Sequence, residues 1–248
     1  MWLASRFSTL KNHATRDEKK TKEAAAAHYD LGREALKWIA LATMTVDHVG
    51  SVLYPELELL RVIGRISFPI YSYLIVLGVE TTRSFRKYLT RLLIFAFISQ
   101  APYFLAHRYG PFESLNIYFT LAFGALSLRS PIMLILALVI SFFLNFDYGP
   151  YGIALISAMQ LLRTDQRQGI AFIVLLNAIF YLIWDKQVFS LFAVPLIVAH
   201  LRGFLGAKGN THREGSTFPT WRKYLFYVYY PAHLTVLVLI RRYLTGTW

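Results

Sequence analysis

The chain has 248 residues, of which 56% are hydrophobic and 16% aromatic, and this composition is too apolar for an ordinary soluble domain. The net charge of +12 is compatible with nucleic acid binding, but the basic residues cluster in loops between apolar runs, so we expect no nucleic acid partner. The lack of cysteine excludes disulfides, thiolate metal ligands and a cysteine nucleophile within this chain. The repeated apolar runs predict an all-α, polytopic transmembrane helix bundle.

The first 34 residues are polar and basic, and they contain no apolar core of the signal-peptide type. Leu3, Phe7 and Leu10 share one helical face, which is compatible with an interfacial helix, although a disordered tail is the simpler interpretation. We therefore expect a cytoplasmic N-terminal tail at 1–34 and a transmembrane domain at 35–248.

About nine apolar runs have a membrane-spanning or near-spanning length. Two of them, 115–128 and 151–162, are short, so we expect them to be tilted, re-entrant or shielded by their neighbours. The predicted spans are 36–54, 57–79, 88–105, 115–128, 131–146, 151–162, 169–184, 187–201 and 222–241.

The distribution of positive charge predicts the orientation of the bundle. If nine spans alternate from a cytoplasmic N-terminus, 20 of the 26 Lys and Arg residues fall on the cytoplasmic side. The positive-inside rule then places the N-terminus inside and the C-terminus outside. No internal repeat is evident, so an inverted-repeat transporter gains no support.

Ionisable residues occur inside the predicted spans. Asp47 and His48 lie within the first span, and Arg61 and Arg65 open the second. A charged residue at the centre of a bilayer costs at least about 2.5–3.5 kcal/mol, so such residues usually face a protein interior or a watery cavity. At about 1.5 Å of rise per residue, Asp47, His48, Arg65 and His233 of the last span all reach the middle of the membrane. This common depth predicts a central site.

Each of these residues also has a structural interpretation. Asp47 can form a buried ion pair with Arg61 or Arg65, which are spaced i,i+4 on one helical face. Adjacent helical residues point about 100° apart, so we do not expect Asp47 to bond His48 directly. Three groups stay open as the partner that orients the His48 ring: His233, Tyr103 and Asp147.

Three polar residues lie at the outer ends of predicted spans: Asn116, Asp147 and Tyr148. Helix capping and turn formation are their simpler roles, and a catalytic role is the alternative. Familiar catalytic and phosphate-binding motifs are missing from the sequence. No residue pattern requires a metal ion, so we expect no metal cofactor.

Several motif-like strings follow one another from about residue 35 to 241. The clearest are Asp47-His48-x-Gly50, Arg61-Val62-Ile63-Gly64-Arg65 and Tyr230-Pro231-Ala232-His233, and shorter ones lie at 87–92, 99–103, 115–121 and 147–149. Taken together in this order, the strings resemble the TraX family, named for the conjugative pilin acetylation protein. The N-terminal tail lies outside the match.

The resemblance implies a multi-pass acetyltransferase of the bacterial cytoplasmic (inner) membrane, with residues 35–248 as a transmembrane acyltransferase domain. Acetyl-CoA would be the acyl donor and an amine or hydroxyl the acceptor. The chain is also similar to the wider group of transmembrane acyltransferases, including the heparan-glucosaminide acetyltransferase, which use an intramembrane histidine. The acceptor stays open between pilin, another peptide, a sugar and a lipid headgroup.

By this resemblance His48 is the first catalytic candidate, acting as a base or carrying the acetyl group, with Asp47 and His233 beside it. Arg61 or Arg65 would stabilise the thioester oxyanion or hold Asp47 ionised. Coenzyme A is anionic, so its phosphates would bind basic residues at the cytoplasmic face, although the positive-inside rule explains these residues without a ligand. They are Arg83, Arg86, Lys87, Arg91, Arg222 and Lys223.

Two other classes of function are compatible with the same residues. In a proton-coupled transporter, Asp47, His48 and His233 would form a proton relay. A purely structural assembly factor is the third class. The missing internal symmetry and the family resemblance both favour the enzyme.

Overall fold

The computed structural model describes residues 31–110, 112–183, 185–205 and 220–246, with the backbone alone at 220–223. Across these residues the chain is helical and contains no β-strand, with one isolated bridge between Leu115 and Phe146. Residues 1–30 of the expected N-terminal tail lie outside the described part, so the interfacial helix stays a prediction.

The α-helices are numbered here in chain order, and a 3-10 helix at Asp185–Phe192 precedes α9. Their bounds are α1 Leu31–Val52, α2 Glu58–Gly64, α3 Ser67–Thr81, α4 Phe85–His107, α5 Ile117–Ser127, α6 Pro131–Phe143, α7 Gly149–Thr164, α8 Gln166–Tyr181, α9 Ala193–Leu201 and α10 Thr220–Thr245.

Three helical stretches among the described residues are long and apolar enough to cross a membrane: Glu58–Thr81, Phe85–His107 and Tyr224–Thr245. The first of these comprises α2 and α3, which are separated by a turn at residues 65–66. The predicted second span is therefore interrupted, and the span predicted at 187–201 begins as a 3-10 helix. The total of about nine spans and the cytoplasmic N-terminus stay predictions.

Helices α5 and α7 form the centre of the bundle. Helix α5 packs against α3, α4, α6 and α7, and α7 also contacts α3, α6 and α8. Large side chains of α7 are fully buried, among them Tyr151, Ile156 and Met159. The two short predicted spans are thus shielded by neighbouring helices, which is one of the three arrangements expected for them.

Helix α6 lies at the periphery and exposes large apolar side chains, including Ile132, Ile135 and Phe142. Exposed apolar surface on this scale is unfavourable in water and favourable against lipid chains. The apolar exterior and the long apolar helices together make this a membrane protein.

Helix α4 has defined ends, and these ends matter for the site. Ser84 caps its start by accepting a hydrogen bond from the Lys87 amide. At its other end Arg108 adopts a left-handed conformation with φ of 59°. The buried Arg241 of α10 donates hydrogen bonds to the carbonyls of Ala106 and Leu105, at 2.7 and 2.6 Å. A guanidinium at a helix C-terminus satisfies orphan carbonyls and stabilises the helix dipole.

Helix α10 continues through Pro231, which has no amide proton to donate to the carbonyl of Tyr227 one turn earlier. The Tyr118 hydroxyl of α5 takes the place of that missing donor, at 3.1 Å from the Tyr227 carbonyl. A neighbouring helix therefore satisfies the group that the proline leaves unpaired, which is how proline is tolerated inside membrane helices.

Candidate functional site

A cavity of about 720 Å³ lies between α1, α3, α4, α5 and α10. One end is lined by basic side chains that we call the basic rim: Arg33, Lys37, Arg83, Lys87 and Arg91. The other end, which we call the far end, is lined by His48, Asp47, Arg61, Arg65, His107, Asp147 and Tyr148. Arg33 and His48 both belong to α1, and the helical rise separates their levels by about 22 Å. The cavity is therefore long, and its two ends differ in chemistry.

His48 and His233 are in direct contact at the far end, and we call them the histidine pair. Nδ1 of His48 lies 2.6 Å from Nε2 of His233, and the two rings are stacked with centroids 4.9 Å apart. One turn earlier on each helix, the hydroxyls of Thr45 and Tyr229 are hydrogen-bonded at 2.8 Å. These two contacts show that α1 and α10 run in the same direction.

The hydrogen bonds determine where the protons of the neutral histidine pair lie. Nδ1 of His233 is 2.8 Å from the Tyr229 carbonyl, and a carbonyl only accepts, so this nitrogen carries the proton. Nε2 of His233 is then an acceptor, and Nδ1 of His48 donates to it. Nε2 of His48 is left with a free lone pair. Of the three groups left open by the sequence, His233 is the one that orients His48.

Asp47 pairs with Arg61, not with Arg65. The Arg61 guanidinium donates to Oδ2 of Asp47 at 2.8 Å and, at 3.4 Å, to the Asp47 carbonyl. The pair depends on Gly64, because a Cβ atom there would lie 2.2 Å from the Asp47 side chain. Oδ1 of Asp47 is buried and has no hydrogen-bond partner among the described residues. One carboxylate oxygen is thus left for another group.

Arg65 is held by a different set of contacts. Its guanidinium donates to the Tyr148 hydroxyl at 3.0 Å and to Oε1 of Gln187 at 3.4 Å. Tyr148 itself has a left-handed backbone with φ of 60° and stacks on Phe68, with centroids 4.0 Å apart. A non-glycine residue in this conformation is uncommon and is maintained by its surroundings. The turn before α7 therefore reverses the chain between α6 and α7, and it also places Asp147 and Tyr148 in the lining of the cavity.

Two predicted candidates have structural contacts instead. The Tyr103 hydroxyl, one of the three groups left open by the sequence, is 3.2 Å from the Ser114 hydroxyl and does not line the cavity. Asn116 is fully buried and caps α5, where its side chain accepts from the Tyr118 amide at 3.1 Å. Its amide group also donates to the Ala96 carbonyl and to Gln100. Asn116 therefore caps a helix, which is the simpler of the two roles considered for it from the sequence.

The predicted phosphate-binding residues divide into three groups. Arg83, Lys87 and Arg91 line the cavity at the basic rim. Arg86 is exposed and does not line the cavity. It directly precedes Lys87 in the first turn of α4, and adjacent residues of a helix point about 100° apart, so the two side chains lie on different sides of the helix. The side chains of Arg222 and Lys223 lie outside the described residues.

Sequence reasoning missed several residues of the cavity. Arg33 and Lys37 of α1 belong to the basic rim, although they had been counted only as orienting charge. His107 lines the far end, with its ring edge-on to His48 at 6.1 Å between centroids. It lies just beyond the predicted span 88–105, where a histidine is unremarkable. The signal that could have found it is its i+4 spacing from Tyr103, a residue already considered as a partner of His48. Among the described residues, no group of three or more His, Asp or Glu side chains has an arrangement suited to a metal ion.

The fold and the site together define a helical membrane protein with a long internal cavity that is basic at one end and carries paired histidines at the other. The chain belongs to the TraX family: the family described as "TraX protein" matches residues 32–241. That range includes every described residue of the basic rim and of the far end.

The chain is similar to two bacterial proteins. It is 27% identical over 243 residues to the "Probable fimbrial assembly protein FimC, serogroup H1" of Dichelobacter nodosus, covering 87% of this chain and 98% of the relative. It is 33% identical over 86 residues to an uncharacterized protein of Rickettsia prowazekii (strain Madrid E), covering 27% of this chain and 35% of that one. No solved structure matches.

Proposed function

We propose that this protein is a membrane-embedded acetyltransferase that moves an acetyl group from cytoplasmic acetyl-CoA to an amine acceptor. The observation that carries the proposal is that one cavity extends from the basic rim to His48 of the histidine pair. Acetyl-CoA has matching chemistry along its length, because anionic phosphates at one end are linked by a long flexible arm to a reactive thioester at the other. The association of the TraX family with pilin acetylation supports the same reaction class.

The donor would lie along the axis of the cavity. Its phosphates would bind Arg33, Lys87 and Arg91 at the basic rim, since guanidinium and ammonium groups form strong charge-assisted hydrogen bonds to phosphate. Its arm would pass along the apolar wall formed by Ile75 and Leu121. The thioester would then reach the far end, at a level about 22 Å from Arg33 along α1.

The free Nε2 of His48 would attack the thioester carbonyl carbon. A new N–C bond forms, the C–S bond breaks, and coenzyme A leaves as its thiolate. As Nε2 gains the acetyl group, Nδ1 of His48 passes its proton along the 2.6 Å hydrogen bond to Nε2 of His233. Arg61 or Arg65 would stabilise the negative charge that develops on the carbonyl oxygen. His233 later returns the proton when the acetyl group leaves.

A pilin-like protein is the acceptor that the relatives favour. The family is associated with pilin acetylation, and the D. nodosus relative is described as a probable fimbrial assembly protein. The N-terminal amine of such a protein would enter the far end of the cavity. A sugar, a lipid headgroup and another peptide are alternative outcomes of the test below.

The contact between His48 and His233 is also what a proton relay would use, so a proton-coupled transporter is the second candidate. The two proposals differ in what leaves the protein. A transporter in sealed vesicles would move protons without labelling any acceptor. A transferase would release coenzyme A thiol and label an acceptor in the absence of a proton gradient.

The proposal is tested by incubating the purified full chain in lipid nanodiscs with acetyl-labelled acetyl-CoA and a host envelope extract, and by identifying the molecule that acquires the label. His48→Ala should abolish labelling. Ser51→Ala is the matched control on the next turn of α1, because Ser51 does not line the cavity. Labelling at the wild-type rate by a folded His48→Ala protein would contradict the proposal.

A further inference from the structure

A third histidine, His107, lines the same cavity as His48 of the histidine pair. Its ring is edge-on to that of His48, with 6.1 Å between the two centroids. A small reacting group at the far end can therefore touch both rings. The transfer from the donor, as proposed above, uses His48 and His233 and leaves His107 without a role.

The hydrogen bonding of His107 fixes its tautomer in the same way. Nδ1 of His107 is 3.0 Å from the Tyr103 carbonyl one turn earlier in α4, so this nitrogen donates. Nε2 of His107 then carries the free lone pair, and no other hydrogen bond to the ring is found among the described residues. The cavity thus contains two imidazoles, His48 and His107, each with an unprotonated Nε2.

The position of His107 separates it from the donor. It lies in the last turn of α4, while Lys87 of the basic rim lies in the first turn, about 30 Å away along the helix. Tyr109 stacks on the His107 ring at 5.6 Å and is itself 40% exposed. His107 is therefore one ring away from the surface at the end of the cavity opposite the basic rim.

The charges around the far end show why a second base is needed there. Two carboxylates, Asp47 and Asp147, face two guanidiniums, Arg61 and Arg65, so these side chains leave no excess negative charge to hold an ammonium ion. An ammonium also has no lone pair with which to attack a carbonyl carbon. With a typical α-amino pKa of about 7.7–8.0, most of an N-terminal amine is protonated at neutral pH. An amine acceptor must therefore lose protons during the reaction.

We infer that His107 is a catalytic residue of the acceptor half of the reaction, and that its Nε2 removes the proton of a primary amine. This inference rests on the proposed function. His107 first takes the extra proton of the bound ammonium and passes it to solvent, which frees the lone pair of the amine. The acceptor nitrogen then attacks the acetyl carbon on His48, the new N–C bond forms, and the bond between that carbon and Nε2 of His48 breaks. His48 recovers its Nδ1 proton from His233, and the second proton that the acylated nitrogen loses passes to solvent. Donor and acceptor chemistry are thus divided between two histidines.

The test uses the full chain in nanodiscs with two probes, glycinamide and hydroxylamine. Glycinamide is partly protonated at neutral pH, whereas hydroxylamine is largely neutral and strongly nucleophilic. His107→Ala should keep the initial release of one coenzyme A thiol per protein. Its acetylation of glycinamide should fall by about 100- to 10,000-fold, the usual contribution of a general base. Its acetylation of hydroxylamine should change little, and raising the pH should partly restore the glycinamide rate.

Tyr109→Phe is the matched control, because it keeps the ring stacked on His107 and should leave both probes unaffected. A His107→Ala protein that acetylates glycinamide at the wild-type rate would overturn the inference. Equal loss with both probes, or loss of the thiol release, would also overturn it, because His107 would then support the site as a whole. If the wild-type protein releases no thiol, the proposed function itself fails, and this inference fails with it.

Discussion

The ion pair between Asp47 and Arg61 holds two charges at the edge of a cavity, where the side chains are 14% and 27% exposed. One guanidinium nitrogen serves both Oδ2 and the backbone carbonyl of Asp47, which joins α2 to α1. Loss of one partner leaves the other charge in a poorly solvated place. The pair therefore contributes to stability as well as to the electrostatics of the site.

Asp47→Asn should lower the stability of the protein and reduce acetyl transfer. Exposed pairs are worth up to about 1 kcal/mol and the loss of one partner of a buried pair costs about 3–5 kcal/mol, so we expect about 2–3 kcal/mol for this partly exposed pair. The measurement is the thermal midpoint in detergent together with the transfer rate. Glu58→Gln is the control, because the Glu58–Lys186 pair involves a carboxylate side chain that is 70% exposed. Equal midpoints for the two variants would show that the Asp47–Arg61 pair does not stabilise the fold.

The residue types of the site could be predicted from sequence because an ionisable side chain inside an apolar run has a large energetic cost. Asp47, His48, Arg61, Arg65 and His233 were all found in this way. Their partners could not be predicted, since helical spacing allowed Asp47 to meet either arginine. His107 was missed because it lies at the end of its span, where a polar residue costs little.

At the scale of elements, α4 connects the two ends of the cavity. Lys87 in its first turn belongs to the basic rim, and His107 in its last turn belongs to the far end. The serine cap at Ser84 and the guanidinium of Arg241 fix where the helix starts and stops. A helix with defined ends therefore fixes the distance between the basic rim and His107 of the far end.

Neighbouring positions on α4 offer a matched test of donor binding. Lys87→Glu should raise the KM for acetyl-CoA about ten- to a hundred-fold, since a hydrogen bond to a charged group is worth about 1.5–3 kcal/mol. Arg86→Glu makes a similar charge reversal outside the cavity and should leave that KM nearly unchanged. Steady-state kinetics at low and high salt measures both, and salt should reduce the difference. Equal changes of the KM in the two variants would mean that these charges only orient the protein in the membrane and do not bind the donor.

The close contact of α1 with the end of α2 gives a second test at this scale. Gly64→Ala would bring a Cβ atom to 2.2 Å from the Asp47 side chain, so Asp47 has to move away from Arg61. Overpacking of this kind costs about 1–3 kcal/mol, and we expect a lower thermal midpoint and slower transfer. Gly110→Ala is the control, because a Cβ there meets only ordinary contacts at 3.6 and 3.7 Å. A Gly64→Ala protein indistinguishable from wild type would show that the contact is not restrictive.

At the scale of the whole molecule, the orientation in the membrane determines which end of the cavity faces the cytoplasm, and the proposed function requires this to be the basic rim. Arg86 lies in the first turn of α4 and Phe112 lies beyond its last turn, and α4 is long and apolar enough to cross a membrane. Arg86 is exposed at its start, and Phe112 is 83% exposed beyond its end. These two positions therefore report opposite faces of the membrane if α4 spans it.

A cysteine at Phe112 should react with a membrane-impermeant thiol reagent added outside intact cells, and a cysteine at Arg86 should not. The chain has no native cysteine, so labelling reports the introduced residue alone. Lysed cells serve as the control, in which both positions should react. The reverse pattern would place the basic rim outside the cell, where acetyl-CoA cannot supply it.

The sequence by itself determined that the protein is helical and apolar, and it determined the residues that meet at one depth, because hydropathy and the 1.5 Å helical rise are local properties. Only the tertiary structure decided that His48 bonds His233, that Arg61 and not Arg65 pairs with Asp47, and that His107 lines the cavity. These contacts depend on how each helix is rotated about its axis and which helices are neighbours. The rotation of each helix and the choice of its neighbours are set by the packing of the whole bundle. His48 and His233 are 185 positions apart in the chain, and only this packing brings them into contact.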